Sequence, residues 1–231
     1  GKYIAESNDA VKTLRRKLEK KALAAAELYY KTENYKAAAT SYELILKDFP
    51  DIEESERVSY MIVKSDFKLA QNSIPSKKAE RFNNVVKAYT DFKYKFGNSK
   101  YVADAQKSEQ QSHFLAVQSA FEWAEIAPLA EREKNFRIFF NEAKMQLPYI
   151  TEKKQIDEVN RMIEKGYFLI VKNNFAISEE KKSNSRLPYL EQTIKTYYTF
   201  VDQFPKSRYA KEAERIFNNS TELIKKLKAN G

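Results

Sequence analysis

An all-α fold is predicted, a helical repeat array (α-solenoid) of about nine helices, and three observations lead to it. Four glycines in 231 residues are too few for a sheet protein, whose hairpins and bulges need residues at positive φ. Apolar side chains recur at the 3.6-residue helical period along nearly the whole chain. A unit of helix, connection and helix also occurs twice, which points to stacked units that bury their apolar faces on one another.

Taken in order, the periodicity places helices near 3 to 32, 35 to 48, 52 to 72, 79 to 95, 100 to 126, 129 to 146, 150 to 178, 187 to 203 and 208 to 228. Pro50 closes the second, and Asp51, with Glu54 three residues on, offers an N-cap for the third. Polar, Ser/Lys-rich stretches at Asn72 to Lys78 and Ser178 to Arg186 are expected to be loops. Ser99 after Phe-Gly-Asn and Ser207 after Phe-Pro-Lys are suited to cap the fifth and ninth helices. Within the fifth, Tyr101, Ala105, Phe114, Val117, Phe121 and Ala124 fall on or near one stripe. Pro50, Pro75, Pro128, Pro148, Pro188 and Pro205 all fall where the periodicity breaks, so they are expected to punctuate helices rather than interrupt them.

The duplication is gapless. A shift of 108 residues lays Ile62-Val63-Lys64 on Ile170-Val171-Lys172, Phe67 on Phe175, Lys87 on Lys195, Tyr89 on Tyr197 and Phe92 on Phe200. It continues with Phe96 on Phe204, Ser99 on Ser207, Tyr101 on Tyr209 and Ala105 on Ala213. The Ser-Lys/Arg-Tyr junction also appears at the start of the chain as Gly-Lys-Tyr-Ile-Ala-Glu-Ser, with Gly1 standing where the other copies have Ser, as a residue left by cloning would. A start in mid-array is therefore expected, the first helix exposing an apolar strip that includes Tyr3 and Ile4.

The stretch Ala22 to Pro50 indicates the kind of repeat. A unit at Glu19 to Ile52 puts Ala26 and Ala38 where two helices cross closely, Tyr29, Tyr35 and Tyr42 at gap-filling aromatic positions, and Pro50 at the exit, the pattern of a tetratricopeptide repeat. It departs from that pattern with Ala22 where a large residue is common, Glu33 where Gly is usual at the turn, and Ile45 where Ala is usual.

Further residues carry a resemblance to a family. Leu14-Arg-Arg-Lys-Leu-Glu-Lys-Lys-Ala22, Ala26-Glu-Leu-Tyr-Tyr-Lys-Thr-Glu-Asn-Tyr-Lys-Ala-Ala38, Leu46-Lys-Asp-Phe-Pro50, Lys68-Leu-Ala-Gln-Asn-Ser73 and Lys77-Lys-Ala-Glu-Arg-Phe82 resemble the BamD helical-repeat lipoproteins of the outer-membrane protein assembly machine, in their Bacteroidetes-type form. The resemblance covers residues 1 to 110 and matches that family's carboxy-terminal repeats. Residues 111 to 231 form a further helical unit containing the second copy of the 62 to 107 segment, beyond where the family usually ends. The resemblance implies a periplasmic scaffold at the inner face of the outer membrane, held by a lipidated amino-terminal Cys that this chain lacks. Its implied partners are the barrel-assembling outer-membrane component and accessory lipoproteins, with the membrane reached only through that anchor.

Chemistry narrows the function classes. His113 is the single histidine, cysteine is absent and no Gly-rich phosphate loop occurs, so histidine triads, two-histidine metal sites and P-loops are excluded. No catalytic residue, cofactor or metal site is expected. His113 is read as structural, and Glu53, Glu54 and Glu56 as first-turn acids favoured by the helix dipole. No run approaches the roughly 18 apolar residues that span a bilayer, so a soluble mature region is expected.

The net charge of +9 is scattered except at Lys12, Arg15, Arg16, Lys17, Lys20 and Lys21, which are relieved only by Glu19. Two readings of Arg15, Arg16, Lys20 and Lys21 stay open, a solvated helix face or a surface for an acidic partner or anionic lipid headgroups. Lys20, Leu23, Glu27, Tyr30 and Lys31 are expected to line the concave face of the first unit, where an extended peptide or partner loop would lie, with ordinary exposure as the other reading. Lys64 and Lys172, the same residue in both copies, are candidate contacts or else lysines whose stems cover a helix interface. The leading expectation is a non-enzymatic scaffold for outer-membrane β-barrel assembly. The alternatives are a peptide-binding co-chaperone or adaptor unrelated to the outer membrane and, suggested only by charge, a nucleic-acid-binding repeat.

Overall fold

The computed structural model describes residues 2–229, without the side chains of residues 2–6, 183 and 184. Among the described residues nine α-helices follow one another without a strand: α1 (Lys2–Lys31), α2 (Tyr35–Asp48), α3 (Ser55–Gln71), α4 (Pro75–Lys95), α5 (Val102–Ile126), α6 (Leu129–Gln146), α7 (Lys153–Glu180), α8 (Ser183–Gln203) and α9 (Ala210–Ala229), with a 3-10 turn at Leu147–Tyr149. The chain divides into two compact units, Gly1–Leu115 and Ala116–Gly231.

In the first unit α1, α2, α3 and α4 pack in succession. Leu23, Ala26, Ala38, Tyr42, Ile45, Ile52 and Val58 form its core. Ala26 and Ala38 are wholly buried, as a close crossing of α1 and α2 requires, because a larger side chain at either would hold the helices apart. Tyr42 is also wholly buried, and burial pushes its hydroxyl up to about 12. Tyr35 meets Tyr30 edge to face at 5.4 Å. Tyr29, expected to fill a gap, is instead exposed.

The turn between α1 and α2 is closed by backbone bonds from Asn34 N–H to Tyr29 O (2.9 Å) and Glu33 N–H to Tyr30 O (3.1 Å). That pair of bonds requires a left-handed residue between them, and Glu33 takes it at φ 60°. Asn34 then caps α2, its Oδ1 accepting from Ala37 N–H.

In the second unit α6, α7, α8 and α9 pack in succession and α9 also reaches α7. Phe168, Val171, Phe200, Ala213 and Ile216 form one core cluster, while Phe121 at the end of α5 meets Phe136 and Phe139 of α6 at 6.0 and 5.1 Å. Gly166 lets α7 approach α6, since a Cβ there would sit 3.0 Å from the Phe140 ring.

The two copies are built alike down to their rings. Tyr60 stacks on Tyr101 at 4.5 Å and 13°, and Phe168 on Tyr209 at 4.7 Å and 5°. Phe92 meets Phe96 at 5.9 Å and 36°, and Phe200 meets Phe204 at 6.1 Å and 35°. Ser99 Oγ accepts from Tyr101 N–H, as Ser207 Oγ does from Tyr209 N–H, so both serines cap their junctions as the sequence suggested.

Several local expectations are corrected. Asp51 does not cap α3, which starts after Glu54; Asp51 instead pairs with Arg15. The polar stretches expected to be loops are mostly helix, for α4 begins at Pro75, α7 runs to Glu180 and α8 begins at Ser183. Lys77 of α4 and Lys182 before α8 are exposed, whereas Ser73 and Ser178 are buried, and Pro75 suits a first turn because its missing N–H has no partner there. Pro188 lies inside α8 rather than at its boundary, where the cost is confined to the second turn. Tyr3 and Ile4 lie outside the described side chains.

Candidate functional site

A cleft of about 400 Å³ opens in the first unit between α2, α3 and α4. Helical spacing assembles it. Glu43 and Leu46 face it from α2, Ser59, Ile62 and Asp66 from α3, and Asn84, Lys87, Ala88, Asp91, Phe92 and Lys95 from α4, each set recurring at three- and four-residue steps along one helix face. The floor is apolar, with carboxylates and ammonium groups around it.

Two of its polar groups are unsatisfied. Ser59 is only 8% exposed, and its hydroxyl makes no hydrogen bond among the described residues. The hydroxyl is not enclosed but open to the cleft that the residue lines, where an incoming group can reach it. Asp66 is half-buried with no hydrogen-bond donor or ion-pair partner among the described residues, and burial first, then the negative charge of Glu43, pushes its carboxyl up to about 6.

The second copy differs in chemistry at the same place. At the position of Asp66 stands Asn174, whose amide donates to Glu133 Oε2 at 3.0 Å, and at that of Asn84 stands Gln192, which donates to Glu133 Oε1. Tyr167 occupies the position of Ser59 and stacks on Phe140 at 4.3 Å. The unpaired carboxylate therefore belongs to the first copy alone of this pair, while Tyr167 and Gln203, at the positions of Ser59 and Lys95, line a cleft of about 310 Å³ with Phe140 and Ala143. The legible signal was a carboxylate set within the α3 stripe Ile62, Val63, Phe67 and Ala70; the sequence reading passed over it.

The residues singled out from sequence separate by surroundings. Arg15 is held between Glu19 at 3.0 Å and Asp51, and lies over the Phe49 ring at 6.0 Å. That hydrogen bond holds the Asp51 carboxyl below its usual range. Arg16 and Lys20, with Lys12, line a second cleft of about 590 Å³ opposite Asp51, Glu53 and Glu54. Lys21 and Lys31 are exposed.

The expected concave stripe is only partly open. Leu23, 6% exposed, belongs to the core and is corrected on that account. Glu27 pairs with Arg57 of α3 at 2.7 Å, and Tyr30 is half-buried against the same core. The stripe turns toward α3 because that helix supplies Val58 and Arg57 to cover it. Lys64 pairs with Asp104 at 2.9 Å, and Tyr60 donates its hydroxyl to the same carboxylate at 2.6 Å. Lys172 pairs with Glu212, the equivalent position, at 3.2 Å. Each lysine thus ties the first helix of its copy to the helix that follows the Ser-Lys/Arg-Tyr junction, a structural reason for its recurrence.

His113 is buried on α5 with Nε2 2.9 Å from Glu109 Oε1. Among the described residues no cluster of three acids or histidines could hold a metal ion, and no helix is long and apolar enough to cross a membrane. A separate feature lies on α1, where Val11, Leu14, Leu18 and Leu28 are each about 60% exposed, at steps of three, four and ten residues.

No protein-family model and no curated protein sequence matches the chain. Among solved structures, it is similar to a de novo designed helical repeat protein at 13% identity and TM-score 0.27, over 92% of this chain and 96% of that one. A chain from the computational design of self-assembling cyclic homo-oligomers gives 10% identity and TM-score 0.23, over 96% of this chain and 99% of that one.

Proposed function

We propose that this chain is a non-enzymatic scaffold or adaptor that binds partner proteins through faces of its helical repeats. The observation that carries this reading is the strip Val11, Leu14, Leu18 and Leu28 on α1. Large aliphatic residues repeated along one helix face and left in water mark a surface suited to another protein. Lys17 and Lys21 stand on the same exposed side and favour an acidic partner. The non-enzymatic part rests on the lack of a nucleophile-base pair, phosphate loop or metal cluster in the residues at hand.

In its specific form, supported by the family resemblance of residues 1 to 110, the scaffold serves outer-membrane β-barrel assembly in the periplasm and engages the periplasmic domains of the barrel-assembling component. Calorimetric titration of those purified domains into this chain tests it: saturable binding, lost on Leu14→Asp with Leu18→Asp, is expected. Binding that persists in the double variant, or no binding at all, overturns that form. A second reading, a peptide-binding co-chaperone or adaptor with no tie to the outer membrane, is favoured by the open cleft between α2, α3 and α4.

A further inference from the structure

The cleft between α2, α3 and α4 offers a chemistry that neither reading above specifies. Its floor of Leu46, Ile62, Ala88 and Phe92 suits an alkyl stem, and the Asp66 carboxylate stands beside it with Ser59, a residue only 8% exposed whose hydroxyl has no partner among the described residues. A carboxylate with no donor in a low-dielectric recess is poorly solvated and gains most from an incoming cation. Glu43 faces Asp66 from α2 and adds negative potential; from α4, Asp91 adds more while Lys87 and Lys95 oppose it at the rim. At the equivalent place in the second copy Asn174 replaces the carboxylate and is satisfied through Glu133, while Tyr167 lines a cleft of about 310 Å³, so the unpaired charge, rather than the opening, is particular to the first copy.

We infer that this cleft is a binding site for a primary ammonium or guanidinium group carried on an alkyl chain, with Asp66 as its counter-ion, Ser59 as a hydrogen-bond acceptor for it and Ile62 and Phe92 against its stem. The polarity is notable in a chain of net charge +9, where long-range forces repel cations and attraction must come from the local group. Two sources share this chemistry, the lysine or arginine side chain of an extended peptide and a free alkylamine.

Binding is linked to protons. A cation favours the ionised carboxylate, so affinity is fully present above the Asp66 value of about 6 and falls as pH drops through it. One unit below, about a tenth of the carboxylate remains ionised, and affinity falls about tenfold.

The test is titration calorimetry on the whole chain at about pH 7.5 and pH 5 with three probes: an N-acetylated, amidated Ala-Lys-Ala-Lys-Ala peptide, its Lys-to-Gln analogue, and cadaverine. Expected are binding of the lysine peptide, no binding of the glutamine peptide, and about tenfold weakening at the lower pH. Asp66→Asn should weaken binding by tenfold or more, and Ser59→Tyr, which introduces the residue found in the second copy, should block the cleft without changing its charge. Circular dichroism melting checks that both variants fold. Cadaverine binding as tightly as the peptide, with the same sensitivity to both variants, supports the site and assigns it to a free amine. Equal binding of the glutamine peptide, indifference to both variants, or no binding of either cation overturns the inference. Such failure leaves the scaffold reading standing, because that reading is tested at Leu14 and Leu18.

Discussion

Replacing Glu33 by Gly should stabilise the first unit, and the size of the gain follows from one backbone angle. Glu33 sits at φ 60° between α1 and α2, where the hydrogen bonds from Asn34 to Tyr29 and from Glu33 to Tyr30 fix its conformation. A residue with a Cβ costs roughly 1–2 kcal/mol in the left-handed region, and glycine removes that cost. Glycine also gives the unfolded chain more freedom, which takes back about 0.5–1 kcal/mol. The side chain is exposed and forms no ion pair among the described residues, so its loss adds little. Its charge lies near the C-terminus of α1, where it is unfavourable, and near the start of α2, where it is favourable, so the two helix dipoles largely cancel. The net expectation is a gain of about 0.5–1 kcal/mol, or about 2–6 °C in Tm for a unit of this size. Urea unfolding followed by far-ultraviolet circular dichroism should show a higher midpoint with an unchanged slope. An unchanged or lowered midpoint refutes the reasoning, and so does an equal gain from Glu33→Ala, which keeps the Cβ.

Asp66→Asn should stabilise the chain at neutral pH by about 1–2 kcal/mol, because a carboxyl raised to about 6 in the folded state loses stability as pH rises from its unfolded value and carries the full penalty above about 6. The advantage should vanish below about pH 4, which urea midpoints measured across that range will show. Tyr60→Phe removes the hydroxyl that donates to Asp104 and should cost about 0.5–1.5 kcal/mol by urea midpoint. The second copy already carries Phe168 there and does without the bond. Leu23→Ala in the core should cost about 2–4 kcal/mol, whereas Leu14→Ala and Leu18→Ala on the exposed strip should stay within about 0.5 kcal/mol of the parent; a larger loss at Leu14 or Leu18 in thermal or urea unfolding would show that the strip is covered in solution.

The sequence alone determined the features whose causes are local. Helical period, the Ala26 and Ala38 crossing and the Ser99 and Ser207 caps depend on residues a few positions apart, and the structure has them where the pattern put them. The duplication was legible for the same reason, since equal residues at a constant offset build equal local geometry, down to the stacked ring pairs at Tyr60 and Phe168. Terminal turns were less legible, because Ser and Lys serve equally in a loop and in the first turn of a helix, as Ser76, Lys77 and Lys78 at the start of α4 illustrate. What only the tertiary structure decided was the neighbour of each side chain. Leu14, Leu18 and Leu23 stand within ten residues on one helix, yet Leu23 alone is buried, because it joins the core cluster that includes Val58 of α3, whereas the other two are about 60% exposed. Lys64 resembled a contact residue until Asp104, remote in sequence, was brought to its ammonium. Asp66 and Asn174 occupy one position in two copies, but Asn174 meets Glu133 while Asp66 meets a cleft. Burial and pairing are properties of what packs opposite, and that is set by elements far along the chain.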